Sequence, residues 1–206
     1  MPGKRLARRA RRAFVNAGCG PTGNARLPAF FRTWRQIRVD IDPKMKPDLV
    51  TSIADLSAIP SGTVDAVWSA HSLEHLYAHE VPVTLSEFRR VLRSTGFACI
   101  VIPDLQAIAG WIASDRLLET IYESAAGPVT AHDMIWGFGR AIAAGNTAMA
   151  HRCGFTPTPF IQRLTEAGFG EVQLRRKNSL ELVALALCKR SKREGYRDAI
   201  LAKLGF

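Results

Sequence analysis

The chain has 206 residues, of which 47% are hydrophobic, so it is long enough to form one domain with a substantial core. Its apolar runs are shorter than the roughly 20 residues of a membrane-spanning helix, and its N-terminus lacks the apolar stretch of a secretory signal. Four widely spaced cysteines with no C-x-x-C pair favour free thiols over disulfides or a zinc site. We therefore expect a cytoplasmic protein.

The net charge of +10 is concentrated at the two ends of the chain. Residues 1–13 contain six Lys or Arg, and residues 189–206 contain six more together with two acidic residues, which leaves the body close to neutral. Basic tails are usually solvated extensions. They can also attract a polyanion, so a weak contact with an anionic membrane or a nucleic acid stays open.

Strand and helix patterns alternate along the chain, which predicts a mostly parallel sheet covered by helices. The strands are predicted at Ala13–Ala17, Gln36–Asp40, Leu49–Ile53, Val64–Ser69, Phe97–Ile102, Glu171–Lys177 and Leu180–Cys188. Helical patterns cover Pro28–Trp34, His79–Arg93 and Thr158–Ala167. Only Asn178 and Ser179 separate the last two strands, so the final strand is expected to run antiparallel.

Between Pro103 and Thr156 lies an insertion of some fifty residues. Its patterns predict helices over Gln106–Ala125 and Met134–Ala144. Because the segment leaves from the carboxyl end of the fifth strand, we expect a helical lid over the ligand, at about residues 105–155. The lid side chains expected to meet an acceptor are Trp136, Phe138, Asn146, Met149, His151 and Arg152.

The first predicted strand runs directly into a G-x-G-x-x-G turn formed by Gly18, Gly20 and Gly23. Asp40 ends the second strand about 20 residues later. Glycines let the backbone approach a ligand closely, and a carboxylate at this strand end can accept both hydroxyls of a ribose. The pattern predicts a nucleotide-like ligand. If the strand ends two residues later, Asp42 is the candidate for binding the ribose in place of Asp40.

Further motifs follow the glycine turn in a fixed order. They are Val39-Asp40-Ile41-Asp42, Ala54-Asp55-Leu56, Leu73-Glu74-His75 and Arg90-Val91-Leu92-Arg93-Ser94-Thr95-Gly96. With these motifs the chain, from about Phe14 to Cys188, resembles the class I S-adenosylmethionine-dependent methyltransferases, in particular the methyltransferase type 11-like family.

The resemblance implies an α/β, Rossmann-like fold. Its seven-stranded, mostly parallel sheet has an antiparallel final strand, helices on both faces and the lid insertion after strand five. The chain then divides into a basic N-terminal tail (1–13), a methyltransferase domain (14–188) and a basic C-terminal tail (189–206).

The resemblance also implies S-adenosyl-L-methionine as the methyl donor. The residues expected to bind it are Asn16, Gly18, Cys19, Gly20, Gly23, Asp40, Ile41, Asp55, Leu56 and His71. Family members often carry an acidic residue at the position of Asn16. An amide there still accepts a hydrogen bond from the donor's ammonium group but contributes no charge. The alternative that this chain is a non-catalytic relative of the family therefore stays open.

Methyl transfer needs alignment of donor and acceptor, and sometimes a base. His71, His75 and His151 are the predicted catalytic residues, and Glu74 and Asp104 are further base candidates. Alternatively, His71 and His75 orient the following helix through hydrogen bonds. His71, His75 and His79 at four-residue spacing suggest a metal-binding face, but His71 precedes the helix, so a shared face and a metal site are not expected.

A neutral body with aromatic, amide and histidine side chains in the lid favours a small-molecule or glycan-type acceptor over a nucleic acid in a basic groove. A NAD-dependent oxidoreductase would share the glycine turn and the ribose carboxylate. No tyrosine in this sequence is followed by a lysine four residues later, which counts against that class. A non-catalytic S-adenosylmethionine-binding module that docks through its basic tails is a third alternative.

Overall fold

A computed structural model describes residues 11–22, 27–189 and 195–205 of the chain. Gly23 and most of the basic N-terminal segment lie outside these described residues, so what the sequence predicts for them stays a prediction. No helix within the described ranges is long and apolar enough to cross a membrane.

A seven-stranded sheet forms the centre of the fold, and a separate two-stranded hairpin lies in the insertion. The strands are β1 (Ala13–Ala17), β2 (Arg35–Asp40), β3 (Leu49–Val50), β4 (Val64–Ala70), β5 (Leu92–Pro103), β6 (Thr120–Ser124), β7 (Gly127–Thr130), β8 (Glu171–Lys177) and β9 (Glu181–Leu187). The order in the large sheet is β3-β2-β1-β4-β5-β9-β8. The first five of these are parallel to one another, and β9 runs antiparallel to both of its neighbours.

Within the ranges that the structure describes, six α-helices connect and cover the strands. They are α1 (Glu80–Val91), α2 (Leu105–Ala113), α3 (Ala131–Trp136), α4 (Gly139–Ala143), α5 (Pro157–Glu166) and α6 (Tyr196–Leu204). Short 3-10 turns occupy Ala29–Phe31, Pro43–Met45, Leu73–His75 and Thr147–Met149.

Successive residues of a strand point to opposite faces of the sheet, and each face has its own hydrophobic cluster. On one face, α1 and α5 bury Phe88 and Phe160 against the strands. On the other face, Phe14 of β1 stacks on Phe31 with ring centroids 4.3 Å apart, and α6 completes the cluster. The sheet, its antiparallel final strand and helices on both faces confirm the fold class.

The structure corrects several predicted element bounds. β3 is only two residues long, and the first crossover contains a 3-10 turn in place of an α-helix. β5 begins at Leu92, five residues early, because Leu92 already pairs with Val64 before a bulge leads to Phe97.

The two helices predicted for the insertion are wrong in their extent. The first ends at Ala113, and the last residues predicted to continue it form β6, where Ile121 and Tyr122 favour strand conformation and which pairs with β7 just beyond. The second is divided at Gly137, which has φ 96°. A Cβ at Gly137 would lie 2.0 Å from the carbonyl oxygen of Met149, so this helix break lets the later segment pass.

The described ends of the chain are also docked more firmly than basic tails would be. Arg11 Nε donates to the carbonyl of Thr33 at 2.6 Å, and the guanidinium of Arg12 lies over the Trp34 ring. At the C-terminus, α6 buries Ile200, Leu201 and Leu204 in the aromatic cluster. Residues 195–205 are therefore part of the folded domain, because their apolar side chains cover a sheet face.

We expect Leu201→Ala to lower the free energy of unfolding by about 2–5 kcal/mol, because it opens a cavity under α6. Lys203→Ala, on the exposed side of the same helix, is the matched control and should change stability by less than about 0.5 kcal/mol. Urea unfolding followed by circular dichroism measures both. Equal stability of the two variants would show that α6 is a dispensable tail.

Candidate functional site

The glycine turn joins two loops at the carboxyl edge of the sheet. Gly18 and Gly20 both have left-handed backbones, with φ 71° and 59°. The N–H groups of Gly18 and Cys19 donate to the carbonyl of Val39, at 2.9 and 3.0 Å. A Cβ at Gly18 would lie 2.0 Å from Oγ of Ser72, so only glycine lets the loop after β4 lie against this turn.

Asp40 lies at the end of β2, as the sequence predicts, and its carboxylate holds the glycine turn in place. Oδ2 accepts from the N–H of Gly20 at 2.8 Å, and Oδ1 accepts from the N–H of Asp42 at 3.0 Å. A carboxylate has about four acceptor positions, and donors within the described residues fill two of them. Asp42 itself caps the next 3-10 turn by accepting from the N–H of Lys44.

Beneath the glycine turn is a cleft of about 110 Å³, lined in part by Asn16, Cys19 and Arg38. Asn16 and Arg38 are neighbours across the β1–β2 ladder. The Arg38 guanidinium donates to the carbonyls of Gly20 and Met45, at 2.7 and 2.8 Å. Burial raises the pKa of the Cys19 thiol, and the charge and hydrogen bond of Arg38 offset this only in part, so the thiol is neutral.

Ile41 and Asp55 are both exposed at this edge, and the Ile41 side chain is 64% accessible, which leaves it free to cover a flat ligand. Hydrogen bonds from Ser57 lower the pKa of Asp55. Leu56 was expected to contact the donor, but its side chain is fully buried and its N–H donates to Glu87 Oε2 at 3.0 Å.

His71 follows β4 with a left-handed backbone, φ 53°, and lies between two carboxylates. Its Nε2 is 2.6 Å from Oε1 of Glu181, and its Nδ1 is 3.3 Å from Oε1 of Glu74. Burial of Glu181 opposes its ionisation, but the hydrogen bond and charge of His71, aided by Ser179 and Lys177, lower its pKa to about 2.

His75 and His151 come together although 76 positions separate them in the sequence. Their rings make an edge contact with centroids 4.8 Å apart, next to the buried Glu74. His79, by contrast, stacks on the exposed Tyr77. Asp104 is 1% exposed, caps the N-terminus of α2 and forms an ion pair with Arg176 at 2.9 Å. These contacts give Asp104 a structural role instead of that of a general base.

Comparisons with known proteins agree with this geometry. Residues 15–100 match the family described as a methyltransferase domain. The matched segment is similar to a methyltransferase domain, and the fold of the chain is that of solved S-adenosylmethionine-dependent methyltransferases. No curated protein matches the sequence.

Solved structures share the fold of this chain at low sequence identity. An S-adenosylmethionine-dependent methyltransferase from Archaeoglobus fulgidus is 16% identical with a TM-score of 0.53, and the match covers 86% of both chains. A Burkholderia thailandensis 1,6-didemethyltoxoflavin-N1-methyltransferase, with that compound and S-adenosylhomocysteine bound, is 17% identical with a TM-score of 0.51; the match covers 87% of this chain and 72% of that one.

The CMeT domain of the citrinin polyketide synthase is 13% identical with a TM-score of 0.57. The match covers 88% of this chain, which spans about half, 47%, of that structure. Identities this low establish the fold alone.

Sequence reasoning missed several residues that shape the site of this chain. Arg38 lies two residues before Asp40, on the same face of β2, and period-two alternation was the available signal. Glu181 opens an apolar strand that runs antiparallel, so its first residue meets the carboxyl ends of the parallel strands. Glu87 and Arg90 of α1 hold the Leu56–Ile59 loop through its backbone, and no sequence pattern indicated this.

We expect Gly18→Ala to abolish donor binding and to destabilise the domain, because the new Cβ collides with Ser72. The matched control is Gly62→Ala, since Gly62 has φ 66° and no atom within 4 Å of an added Cβ. Both variants bear a left-handed strain of about 1–2 kcal/mol, and the collision should add about 1–3 kcal/mol to Gly18→Ala alone. Equal unfolding energies, measured in urea, would contradict the tight contact between the two loops.

Proposed function

We propose that this chain transfers a methyl group from S-adenosylmethionine to a small-molecule or glycan-type acceptor. The observation that carries the donor assignment is Asp40, whose carboxylate accepts two backbone N–H groups among the described residues and could accept about two further donors. A ribose diol has two hydroxyl donors, which matches that number. The acceptor would lie between this edge of the sheet and the insertion.

The proposed donor site extends in two directions from Asp40. Ile41 and Asp55 would contact the adenine, the first by covering its face and the second by accepting from its amino group. Asn16, Gly18, Cys19 and Gly20 would surround the methionine part, with Gly23 as a further expected contact beyond the described residues. We assign Leu56 a supporting role, because its buried side chain fixes the position of Asp55.

We propose that His71 positions the site instead of acting as a base. Both of its ring nitrogens face carboxylates, those of Glu74 and Glu181, so neither is directed at an acceptor. His75 and His151 are better placed for the acceptor, because they lie where the insertion meets the loop after β4.

Two observations favour a small or glycan-type acceptor. The histidines at the insertion lie beside apolar side chains, Met134 and Phe155 among them, in place of the basic groove that a nucleic acid needs. One structure with the same fold holds the small molecule 1,6-didemethyltoxoflavin. The comparisons give no support to a NAD-dependent oxidoreductase or a non-catalytic module.

We further propose that the enzyme works in the cytoplasm and that residues 1–10 make a weak contact with an anionic membrane or a nucleic acid. All four cysteines are free thiols, which suits a reducing compartment. The segment 1–10 contains four Lys or Arg, whereas Arg11 and Arg12 are engaged by the fold. A salt-sensitive contact would involve these charges.

Asp40→Ala should weaken binding of S-adenosylhomocysteine by about 100-fold or more, because two hydrogen bonds to a charged acceptor are lost. Asp42→Ala is the control. It removes a turn cap worth about 1 kcal/mol and should lower the affinity for S-adenosylhomocysteine by less than about tenfold. Isothermal titration measures both affinities, and NAD should give no heat with the wild type. A large loss in Asp42→Ala with none in Asp40→Ala would move the ribose site two residues along the chain.

His151→Ala should reduce turnover far more than it reduces binding of S-adenosylhomocysteine, because His151 is placed on the acceptor side. His132→Ala, an exposed histidine of the same insertion, should leave both nearly unchanged. Turnover is measured as S-adenosylhomocysteine release in the presence of a fractionated metabolite extract. Equal losses of turnover and donor affinity in His151→Ala would place His151 outside the acceptor pocket.

A further inference from the structure

Three side chains with metal-binding chemistry converge where the insertion meets the loop after β4. Glu74 and His75 belong to the 3-10 turn Leu73–His75, and His151 follows the turn Thr147–Met149. One ring nitrogen of each histidine and one carboxylate oxygen of Glu74 all lie within 4.8 Å of one another.

Glu74 is the unusual member of this group. Its side chain is 1% exposed, and no described residue donates a hydrogen bond to either of its oxygens. His71 Nδ1 is 3.3 Å from Oε1, within ion-pair range. Burial opposes ionisation of Glu74, yet the surrounding imidazoles lower its pKa overall. A buried carboxylate of this kind needs a cation for compensation.

The backbone fixes the two histidines in the form that binds metals. His75 Nδ1 is 3.2 Å from the carbonyl oxygen of Ala150, and His151 Nδ1 is 2.9 Å from that of Met134. Since a carbonyl can only accept, each Nδ1 carries the proton and each Nε2 keeps a lone pair. Donation of the second ring N–H to a carbonyl is the usual support of a metal-bound histidine.

The backbone also holds the two segments together. The N–H of Arg152 donates to the carbonyl of Glu74 at 2.7 Å, and the N–H of His151 donates to that of Trp136 at 3.1 Å. Gly137 permits this second contact, because a side chain there would collide with the backbone of Met149. Backbone hydrogen bonds therefore position the three ligands, and substitutions of the side chains leave these bonds in place.

We propose that Glu74, His75 and His151 bind one divalent first-row transition-metal ion, with zinc as the reference ion. Two imidazoles and one carboxylate form a ligand set that zinc enzymes use with a fourth position open. Tetrahedral zinc requires ligand atoms about 3.4 Å apart, so separations of up to 4.8 Å would contract by up to about 1.4 Å on binding. A cavity of about 20 Å³ is lined by Glu74, His151 and Cys153, which is room for about one water or ion.

The ion would extend the proposed function, on which this role rests, because its three ligands lie where the insertion meets the loop after β4. A metal there can bind an acceptor oxygen or nitrogen and lower its pKa, which makes it a better nucleophile toward the methyl group. The neighbouring Cys153 donates its S–H to the carbonyl of Leu73 at 3.4 Å and lies outside the group of three ligand atoms. The competing explanation is a protonated histidine paired with Glu74, without a metal.

The test is a titration of the EDTA-treated full chain with Zn²⁺ by calorimetry and with Co²⁺ by visible absorption, with no donor or acceptor present. The variants are Glu74→Gln, His75→Ala and His151→Ala. His79→Ala is the matched control, because His79 is exposed on the following segment and stacks only on Tyr77. Circular dichroism and S-adenosylhomocysteine binding show which variants remain folded.

We expect the wild type to bind one Zn²⁺ and one Co²⁺ at the same site. Removing an outer group that supports a metal ligand typically lowers metal affinity by roughly 10–100-fold, and each ligand variant should lower it by more than this. His79→Ala should retain wild-type metal affinity. Wild-type protein that binds neither ion would overturn the proposal in favour of the protonated pair. So would metal binding that survives in folded Glu74→Gln and His75→Ala. Because the titration contains no methyl donor, its outcome is independent of the proposed transferase activity.

Discussion

The Asp40 carboxylate accepts backbone N–H groups from two loops, Gly20 in the glycine turn and Asp42 in the segment after β2. This fixes the turn against the end of β2 while leaving acceptor positions for a ribose. Arg38 strengthens the same junction by donating to the carbonyls of Gly20 and Met45. The site is therefore preorganised mainly by backbone hydrogen bonds, which reduces the ordering cost when the donor binds.

The glycine turn and the end of β2 could be predicted because their signals are local. Left-handed positions favour glycine, and the alternating stretch Ile37-Arg38-Val39 before Asp40 indicates the end of a strand. The same holds for β1 and β8, whose observed bounds equal the predicted ones. Where tertiary contacts decide, local patterns failed: Gly137 divides a predicted helix because the backbone of Met149 runs beside it.

The histidine cluster shows the same limit in the functional site. Spacing along the chain suggested His71, His75 and His79 as a metal face and then excluded it. The structure assembles a different set, in which Glu74 and His75 meet His151 through contacts between distant segments. Likewise, His71 occurs where the sequence predicts, at the end of β4, but Glu181 from β9 determines its environment. Such partners depend on the register of antiparallel strands, which sequence spacing does not encode.

A crystal structure of the chain with S-adenosylhomocysteine bound tests the central claim most directly. The account predicts that both ribose hydroxyls lie within about 2.5–3.0 Å of the Asp40 carboxylate oxygens. The N–H groups of Gly20 and Asp42 should keep their present bonds to that carboxylate. A nucleoside bound away from Asp40, or a ribose held by Asp42 instead, would contradict it.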